Sequence, residues 1–304
     1  MGGAFFDYYI AIDWSAKNWP TPARPSKDAI WAWISEIRSN TVTAKYFRTR
    51  EDCYNFIEKF IFDSHKNGKK VLVWFDFAFW YPSWFNNILW IDFWWCNILD
   101  LVSEKIEDEW NFNNRFEVAS EINSICWKMQ GPFWWHPHRR EYDHLIPTKS
   151  VYPFQKWKKS VNEFRYVDKG QVSKGIQSIW KICYTASVWG QTLMWLPYLK
   201  KLKDSRIWKE IDIWPFDTGF NFKWWKTLIV EIWPWIMTID WQFHDEIKDK
   251  AQVKTVANFM KKVDASGRMW EILWNDFDFP KWLDDIISKE EWWIFWADFN
   301  ILLK

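Results

Sequence analysis

Apolar and polar positions follow two kinds of pattern in the first quarter of the chain. Three short runs have the buried or alternating character of β-strands: Tyr8 to Asp13, Ala29 to Ile37 and Thr41 to Phe47. Glu51 to Ser64 instead carries apolar residues at helical spacing, and Asn67-Gly68 predicts the end of that helix. Lys70 to Phe77 is again a buried strand. This order predicts an antiparallel meander and then a helical crossover that places the fourth strand parallel to the first.

The remainder of the chain contains one long irregular segment and then regular elements again. Residues 98–226 show helices broken by proline- and aromatic-rich loops, and we expect an insertion that covers the cleft of a single domain, 1–304. Thr227 to Ile232 is a further buried strand, and Asp245 to Val263 has strong helical spacing. The pattern therefore predicts an α/β fold with a mixed sheet, flanking helices and a large insertion.

Carboxylates stand where the predicted strands end. Asp13 and Asp76 close two strands, Glu231 lies near the end of a third, and Asp249 is in the helix that follows. Parallel strands share one edge at their carboxyl ends, so these acids are expected to meet there. Clustered carboxylates repel one another unless a cation neutralises them, and oxygen ligands suit Mg²⁺ or Mn²⁺. The sequence thus predicts metal ligands Asp13, Asp76 and Glu231, with Asp249 completing a catalytic set. The alternative is that each acid caps a helix or closes a turn.

Basic and histidine side chains form a second candidate group in the predicted insertion. Arg139 and Arg140 follow a proline-rich loop and are candidates for gripping phosphate, which arginine binds in a bidentate manner. The other predicted substrate-binding residues are Arg115 and His136. Two alternatives remain open. In the first, these residues have only structural roles, with Arg139 and Arg140 on a rigid loop and Arg115 in a helix with internal polar pairs. In the second, the histidines of this segment bind a transition metal. That metal site would use His136, His138 and His144.

Charge and cysteine content narrow the class of partner. The formal net charge is only +1, which disfavours a long duplex held by bulk electrostatics. A short or structured nucleic acid, or a nucleotide-like phosphate compound, fits better. The 4 cysteines form no C-x-x-C pair, as is typical of a cytoplasmic protein without a zinc or redox motif. The most apolar stretch, Trp84 to Val102, is interrupted by Asn and Asp, so no membrane span is expected. The oligomeric state is left open.

Tryptophan is abundant where glycine is scarce. The chain has 31 Trp and 9 Gly, although roughly 20 Gly would be usual at this length. Several Trp stand at expected turns, among them Trp80 before Tyr81-Pro82 and Trp195 before Leu196-Pro197. Some genetic codes read UGA as glycine and others as tryptophan. We therefore expect many of these Trp to be Gly in the natural protein.

Several segments are distinctive in combination, among them YIAIDWSA, VLVWFDFAFWYP, NRFEVASEIN, WPFDTGF and LIVEIWP. Together they resemble a family of uncharacterised bacterial proteins related to predicted nucleases with a ribonuclease-H-like fold, and the resemblance covers nearly the whole chain. It implies that fold, and it implies acidic site residues at Asp13, Asp76, Glu231 and Asp249. The family has Gly at the positions of Trp74, Trp80, Trp135, Trp195 and Trp296. It keeps Trp at Trp14, Trp134, Trp180 and Trp214, and it tends to Tyr at Trp233.

Pattern and resemblance together favour a hydrolase. The expected function is phosphodiester hydrolysis that depends on Mg²⁺ or Mn²⁺, because two such ions can activate water and stabilise the leaving oxygen. One alternative is an enzyme of cofactor metabolism with a corrinoid or nucleotide-linked substrate, since family members sometimes carry a cobalamin-biosynthesis label. The other is a non-catalytic binding module that keeps the acids for structure.

Overall fold

The computed structural model describes residues 3–26, 28–39, 42–89, 96–127, 131–156, 159–169, 177–183, 189–219, 226–232, 238–243, 245–273, 281–291 and 294–295. Two of the family positions above, Trp233 and Trp296, lie outside the described residues.

The strands and helices are as follows. The strands are β1 (Tyr8–Asp13), β2 (Ile30–Glu36), β3 (Val42–Phe47), β4 (Val71–Phe75), β5 (Asp108–Glu109), β6 (Phe112–Asn113), β7 (Phe154–Lys156), β8 (Lys159–Val161), β9 (Ile211–Ile213) and β10 (Thr227–Glu231). The α-helices are α1 (Arg50–Lys66), α2 (Phe85–Ile88), α3 (Cys96–Lys105), α4 (Arg115–Trp127), α5 (Tyr166–Lys169), α6 (Trp189–Asp204), α7 (Lys248–Ala265), α8 (Met269–Leu273) and α9 (Lys281–Ile286). Short 3₁₀ turns occupy Trp208–Glu210 and Trp241–Phe243, and a π turn occupies Ile287–Glu291.

The chain divides into two compact units. The first unit comprises Met1–Asp76, Asp204–Asp278 and Ile294–Lys304. The second unit comprises Phe77–Lys203 and Phe279–Trp293. The insertion expected at 98–226 overlaps the second unit, which begins earlier in the chain and includes a later segment. That an insertion covers the cleft stays a prediction.

A mixed six-stranded sheet forms the first unit, in the order β3-β2-β1-β4-β10-β9. β1, β2 and β3 make the predicted antiparallel meander, whereas β1, β4, β10 and β9 run parallel. The central strands β4 and β10 are buried along their whole length. This explains why their sequences are continuously apolar rather than alternating, since strands covered on both faces have no solvent side. The α/β class and the mixed sheet are thereby confirmed.

Helix α1 connects β3 to β4, and helix α7 packs against one face of the sheet. The side chain of Thr49 accepts a hydrogen bond from the Asp52 N–H and so caps α1, which ends at Asn67 as predicted. Gly68 follows with φ 66°, a left-handed conformation that glycine adopts without strain. α7 packs on β1 and β2. It does so through small and apolar buried residues: Ala251, Val253, Val256, Ala257 and Met260.

The second unit is built from helices and short hairpins around an aromatic core. The ring of Trp180 stacks on that of Tyr81 with a centroid distance of 5.1 Å, and it meets the rings of Phe85 and Phe133 edge-on. All four side chains are buried. Such edge-to-face and stacked contacts each add to the free energy gained by burial alone. In the part of the chain that is described, no helix combines the length and apolar character needed to cross a membrane.

Candidate active site

Asp13 and Asp76 form a carboxyl pair at the ends of two neighbouring strands. The register of β1 and β4 pairs Ile12 with Phe75, so Asp13 and Asp76 follow at the same level. Neighbours in register on parallel strands point to the same face of a sheet, and both side chains are partly buried. The two carboxyl groups hydrogen-bond to each other. The backbone N–H of Trp14 donates to Oδ1 of Asp76 at 3.0 Å and fixes its orientation.

The protonation of this pair is shifted far from that of an exposed aspartate. Burial, and then the charge of Asp76, raise the pKa of Asp13 well above its usual value. Burial also raises the pKa of Asp76 to about 7, although the N–H of Trp14 and the hydrogen bond from Asp13 act in the opposite direction. Without a cation, the pair therefore retains a proton to a higher pH than an exposed aspartate does.

Asp249 brings a third carboxylate within electrostatic range of this pair. It lies in the first turn of α7, and its Oδ2 accepts the backbone N–H of Asp28 at 2.5 Å. Its charge raises the pKa of both Asp13 and Asp76, which places it within electrostatic range of the pair. Burial raises the pKa of Asp249 itself, and the N–H of Asp28 and the charges of Lys248 and Lys17 lower it.

Glu231 occupies a different place from the one expected. The register pairs it with Phe75, which is one residue before Asp76. Side chains alternate between the two faces of a sheet, so Glu231 points with Phe75 to the face opposite to Asp13 and Asp76. Its side chain is 2% exposed, and its carbonyl oxygen accepts the N–H of Phe295 at 2.8 Å. A role for Glu231 as a metal ligand stays a prediction, and the contacts of the described residues favour Asp249 as the third acid.

The acids fit a hard divalent cation in chemistry. Among the described residues, no group of three His, Cys, Asp or Glu side chains is arranged so closely that it forms a ready-made metal site. The donor set nevertheless consists of oxygen alone, which suits Mg²⁺ or Mn²⁺. A cation would displace the proton that the carboxyl pair holds, because the proton and the cation each neutralise the repulsion between the two carboxylates.

Folding stability is expected to reflect this proton. A carboxyl group whose pKa is raised on folding binds more protons in the folded state than in the unfolded state. The free energy of unfolding therefore falls as pH rises from about 4 to about 7, by up to about 1.4 kcal/mol per pH unit for one proton. Mg²⁺ should restore more stability at about pH 8 than at about pH 5, because at low pH it competes with that proton.

Urea unfolding at both pH values, with EDTA or with millimolar Mg²⁺, measures this effect. Equal stabilisation by Mg²⁺ at the two pH values would show that the cation does not bind to the carboxyl pair.

Arg115, His136 and Arg140 gather around one tyrosine in the second unit. The ring of His136 meets that of Tyr142 edge-on, with centroids 5.1 Å apart. The Arg140 guanidinium lies beside the Tyr142 hydroxyl, and Arg140 Nη1 pairs with Glu117 Oε1 at 3.4 Å. Burial raises the pKa of Tyr142, whereas the nearby charges of Arg140 and Arg115 lower it. Three of the four predicted substrate-binding residues thus share one neighbourhood.

The members of this tyrosine-centred cluster differ in exposure. Arg115 is buried, donates to Asn113 Oδ1 at 2.8 Å and lies over the Phe116 ring. Arg139 and Arg140 are exposed. The alternative of a transition-metal site at His136, His138 and His144 finds no metal-binding group among the described residues.

Two residues near these clusters were not predicted from the sequence. Asp28 has φ 55° and presents its N–H to Asp249, which lies 221 residues later in the chain. Tyr142 connects the basic residues of the second unit. Neither forms a motif with its partners, because the contacts are made only when distant segments of chain fold together. The sole local signal was the position of Tyr142 two residues after Arg140.

In comparisons with known proteins, the chain matches no protein-family model, no curated protein and no solved structure.

Proposed function

We propose that this protein is a divalent-metal-dependent phosphodiesterase or nuclease. The observation that carries the proposal is the pair of hydrogen-bonded carboxyl groups, Asp13 and Asp76, at the ends of adjacent parallel strands, with Asp249 nearby. The pair is partly buried, and the charges that act on Asp13 come from the other acids Asp76, Asp249 and Asp28. A cation is the usual means of making such a cluster stable and useful.

The proposed fold is ribonuclease-H-like. Support comes from the sheet order β3-β2-β1-β4-β10, in which an antiparallel meander is followed by strands parallel to β1. The resemblance described above leads to the same fold from the sequence. A fold of this kind would place Asp13 on the first strand, Asp76 after the fourth, and Asp249 on a helix that packs against the sheet.

Each acid has a defined task in the proposed reaction. Asp13 and Asp76 would hold Mg²⁺ or Mn²⁺, and Asp13 would give up the proton that it shares with Asp76. Asp249, kept in place by the Asp28 N–H, would complete the site. The bound ion would act as a Lewis acid, which lowers the pKa of a metal-bound water and neutralises charge on a phosphodiester.

We further propose that the tyrosine-centred cluster binds a phosphate group within the second unit itself. Arg140 is exposed and permanently charged, and its guanidinium can bind a phosphate in a bidentate manner. Arg115 and His136 would add further donors, and Arg139 would contribute charge at the surface. The near-neutral net charge favours short or structured nucleic acid, or a nucleotide-like substrate, over long duplexes.

A cleavage assay tests the proposal directly. We expect the purified protein to hydrolyse a phosphodiester, either a chromogenic bis-aryl phosphate or short labelled RNA and DNA, when Mg²⁺ or Mn²⁺ is present. EDTA should abolish the activity, and Ca²⁺ should not replace Mg²⁺ well, because its coordination is larger and less regular. Hydrolysis that continues unchanged in EDTA would contradict the metal dependence, and calorimetry with Mn²⁺ would separate a metal-binding protein from one without any site.

A further inference from the structure

Arg50 is a buried cation in an unusual position. It is the first residue of α1, and its side chain is 0% exposed. Burying a guanidinium costs free energy, and the amino end of a helix, with its positive dipole, is an unfavourable place for a cation. These costs must be offset by contacts that only this side chain makes.

Those contacts are made to the loop that follows Asp13. Nη1 of Arg50 donates to the carbonyl oxygen of Ser15 at 2.8 Å and to that of Lys17 at 2.9 Å. One nitrogen thus fixes two peptide groups, immediately after the candidate metal ligand. The planar guanidinium suits this task because its donors have fixed directions.

The loop held by Arg50 orients the other two acids through backbone N–H groups. Trp14, which lies between Asp13 and Ser15, donates its N–H to Asp76. The hydroxyl of Ser15 donates to the carbonyl oxygen of Asp28 at 3.3 Å, and Asp28 donates its N–H to Asp249. Both donor peptides are therefore connected to the segment that Arg50 holds.

We propose that Arg50 is a positioning residue, which sets the Trp14 and Asp28 N–H groups and so brings Asp76 and Asp249 into the geometry needed for cation binding. The inference rests on the proposed function for its metal site. It adds a residue on a different element, with no contact to the cation. Residues that orient metal ligands from behind commonly contribute about 10–100-fold to metal affinity.

Mn²⁺ calorimetry on the full chain tests the inference with three variants. Arg50→Met removes the donors at similar length, and we expect it to weaken Mn²⁺ binding by about tenfold or more. Arg50→Lys keeps the charge and part of the donor capacity and should recover part of that loss. Arg48→Met is the matched control, because Arg48 Nε donates to the Thr21 carbonyl oxygen at 2.9 Å, on the same loop but beyond Lys17. It should retain the wild-type affinity.

Hydrogen exchange provides a readout that does not depend on the metal. In the Arg50 variants, the peptide spanning 14–28 should exchange faster while α7 and the sheet stay protected, and in Arg48→Met the Trp14 end should be unchanged. Wild-type affinity and exchange in a folded Arg50→Met variant would overturn the inference. Unfolding of both Arg50 variants would do the same, since Arg50 would then be a general core residue. If the wild-type chain binds no Mn²⁺ but exchange still responds as described, the proposed function fails and the positioning of the loop by Arg50 stands.

Discussion

Replacing Asp13 by asparagine is expected to abolish metal-dependent cleavage in a protein that remains folded. The substitution keeps the shape of the side chain and removes the charge on which the proposed cation site depends. Asp13 lies at the end of a buried central strand, is hydrogen-bonded to Asp76 and is within electrostatic range of Asp249. Loss of one group that stabilises transition-state charge commonly lowers kcat on the order of 10²–10³-fold, and removal of a metal ligand should cost at least this much.

The unfolding behaviour of the same variant distinguishes a catalytic acid from a structural one. Because burial and neighbouring acids raise the pKa of Asp13, the ionised side chain opposes folding above neutral pH. Asp13→Asn should therefore be at least as stable as the wild type at about pH 8 in EDTA, while Mg²⁺ stabilises only the wild type. If Asp13 merely closes a turn, Asp13→Asn should instead be less stable than the wild type, and Mg²⁺ should stabilise neither protein.

Asp63→Asn is the matched control for this experiment. Asp63 lies on α1 in the same unit, has a half-exposed side chain and pairs with Lys59 at 2.8 Å. An exposed pair of this kind contributes little to stability, so the control should cleave like the wild type. Comparable loss in both variants would mean that net charge, rather than the site, governs the activity.

Glu231→Gln decides between the sequence prediction and the register. If Glu231 is a ligand, as the position of the acid near a strand end suggested, this variant should lose Mn²⁺ affinity as Asp13→Asn does. If the side chain points away with Phe75, as the strand pairing indicates, Asp249→Asn should show the loss instead. Calorimetry on the two variants side by side gives the answer.

The contrast between these acids shows what could be predicted from the sequence. The apolar runs were sufficient to predict β1, β4 and β10, since strands buried on both faces leave a continuous apolar signal. They also indicated that acids would stand at the strand ends. They could not show that Glu231 on β10 pairs with Phe75 rather than with Asp76. A register shift of one residue moves the side chain to the other face of the sheet without changing the hydrophobic pattern.

Contacts between distant segments could not be predicted from the sequence, for a different reason. Arg50 and Asp28 belong to the neighbourhood of the acids only after α1, α7 and the loop after β1 have packed. An arginine at the start of a helix is unremarkable in a sequence, and its burial is a tertiary property. The helix α7 was predictable from its spacing, and Asp249 in its first turn was already a candidate from the sequence. Glu246 instead pairs with Lys250 and Lys254.

Replacing Trp84, Trp110 and Trp135 together by glycine is expected to stabilise the second unit. These three residues have φ values of 70°, 51° and 71°, in the left-handed region that an aromatic side chain rarely adopts. A residue with a Cβ costs roughly 1–2 kcal/mol there, which glycine avoids. After allowance for lost contacts of the Trp135 ring, the triple variant should gain about 2–3 kcal/mol in free energy of unfolding.

Trp110 shows the requirement most simply. It stands with Asn111 between β5 and β6, and both loop residues have positive φ. A two-residue hairpin loop with this backbone is a type I′ turn, which favours glycine, asparagine or aspartate at both positions. The Trp110 side chain is 62% exposed, so glycine removes strain and gives up little packing. Trp110→Gly alone should therefore raise the thermal midpoint by a few degrees, on the order of 2–4 °C.

A tryptophan of similar exposure in a helix provides the control and connects the effect to the genetic code. Trp282 is 55% exposed on α9, and glycine in a helix costs about 1 kcal/mol, so Trp282→Gly should lower the thermal midpoint. Stabilisation confined to the positive-φ positions would mean that the backbone at those places requires glycine whatever the codon specifies. The intact mass of the natively made protein then tests the decoding: the mass calculated with all 31 Trp would refute the replacement of Trp by Gly, whereas a lighter chain would give the number replaced.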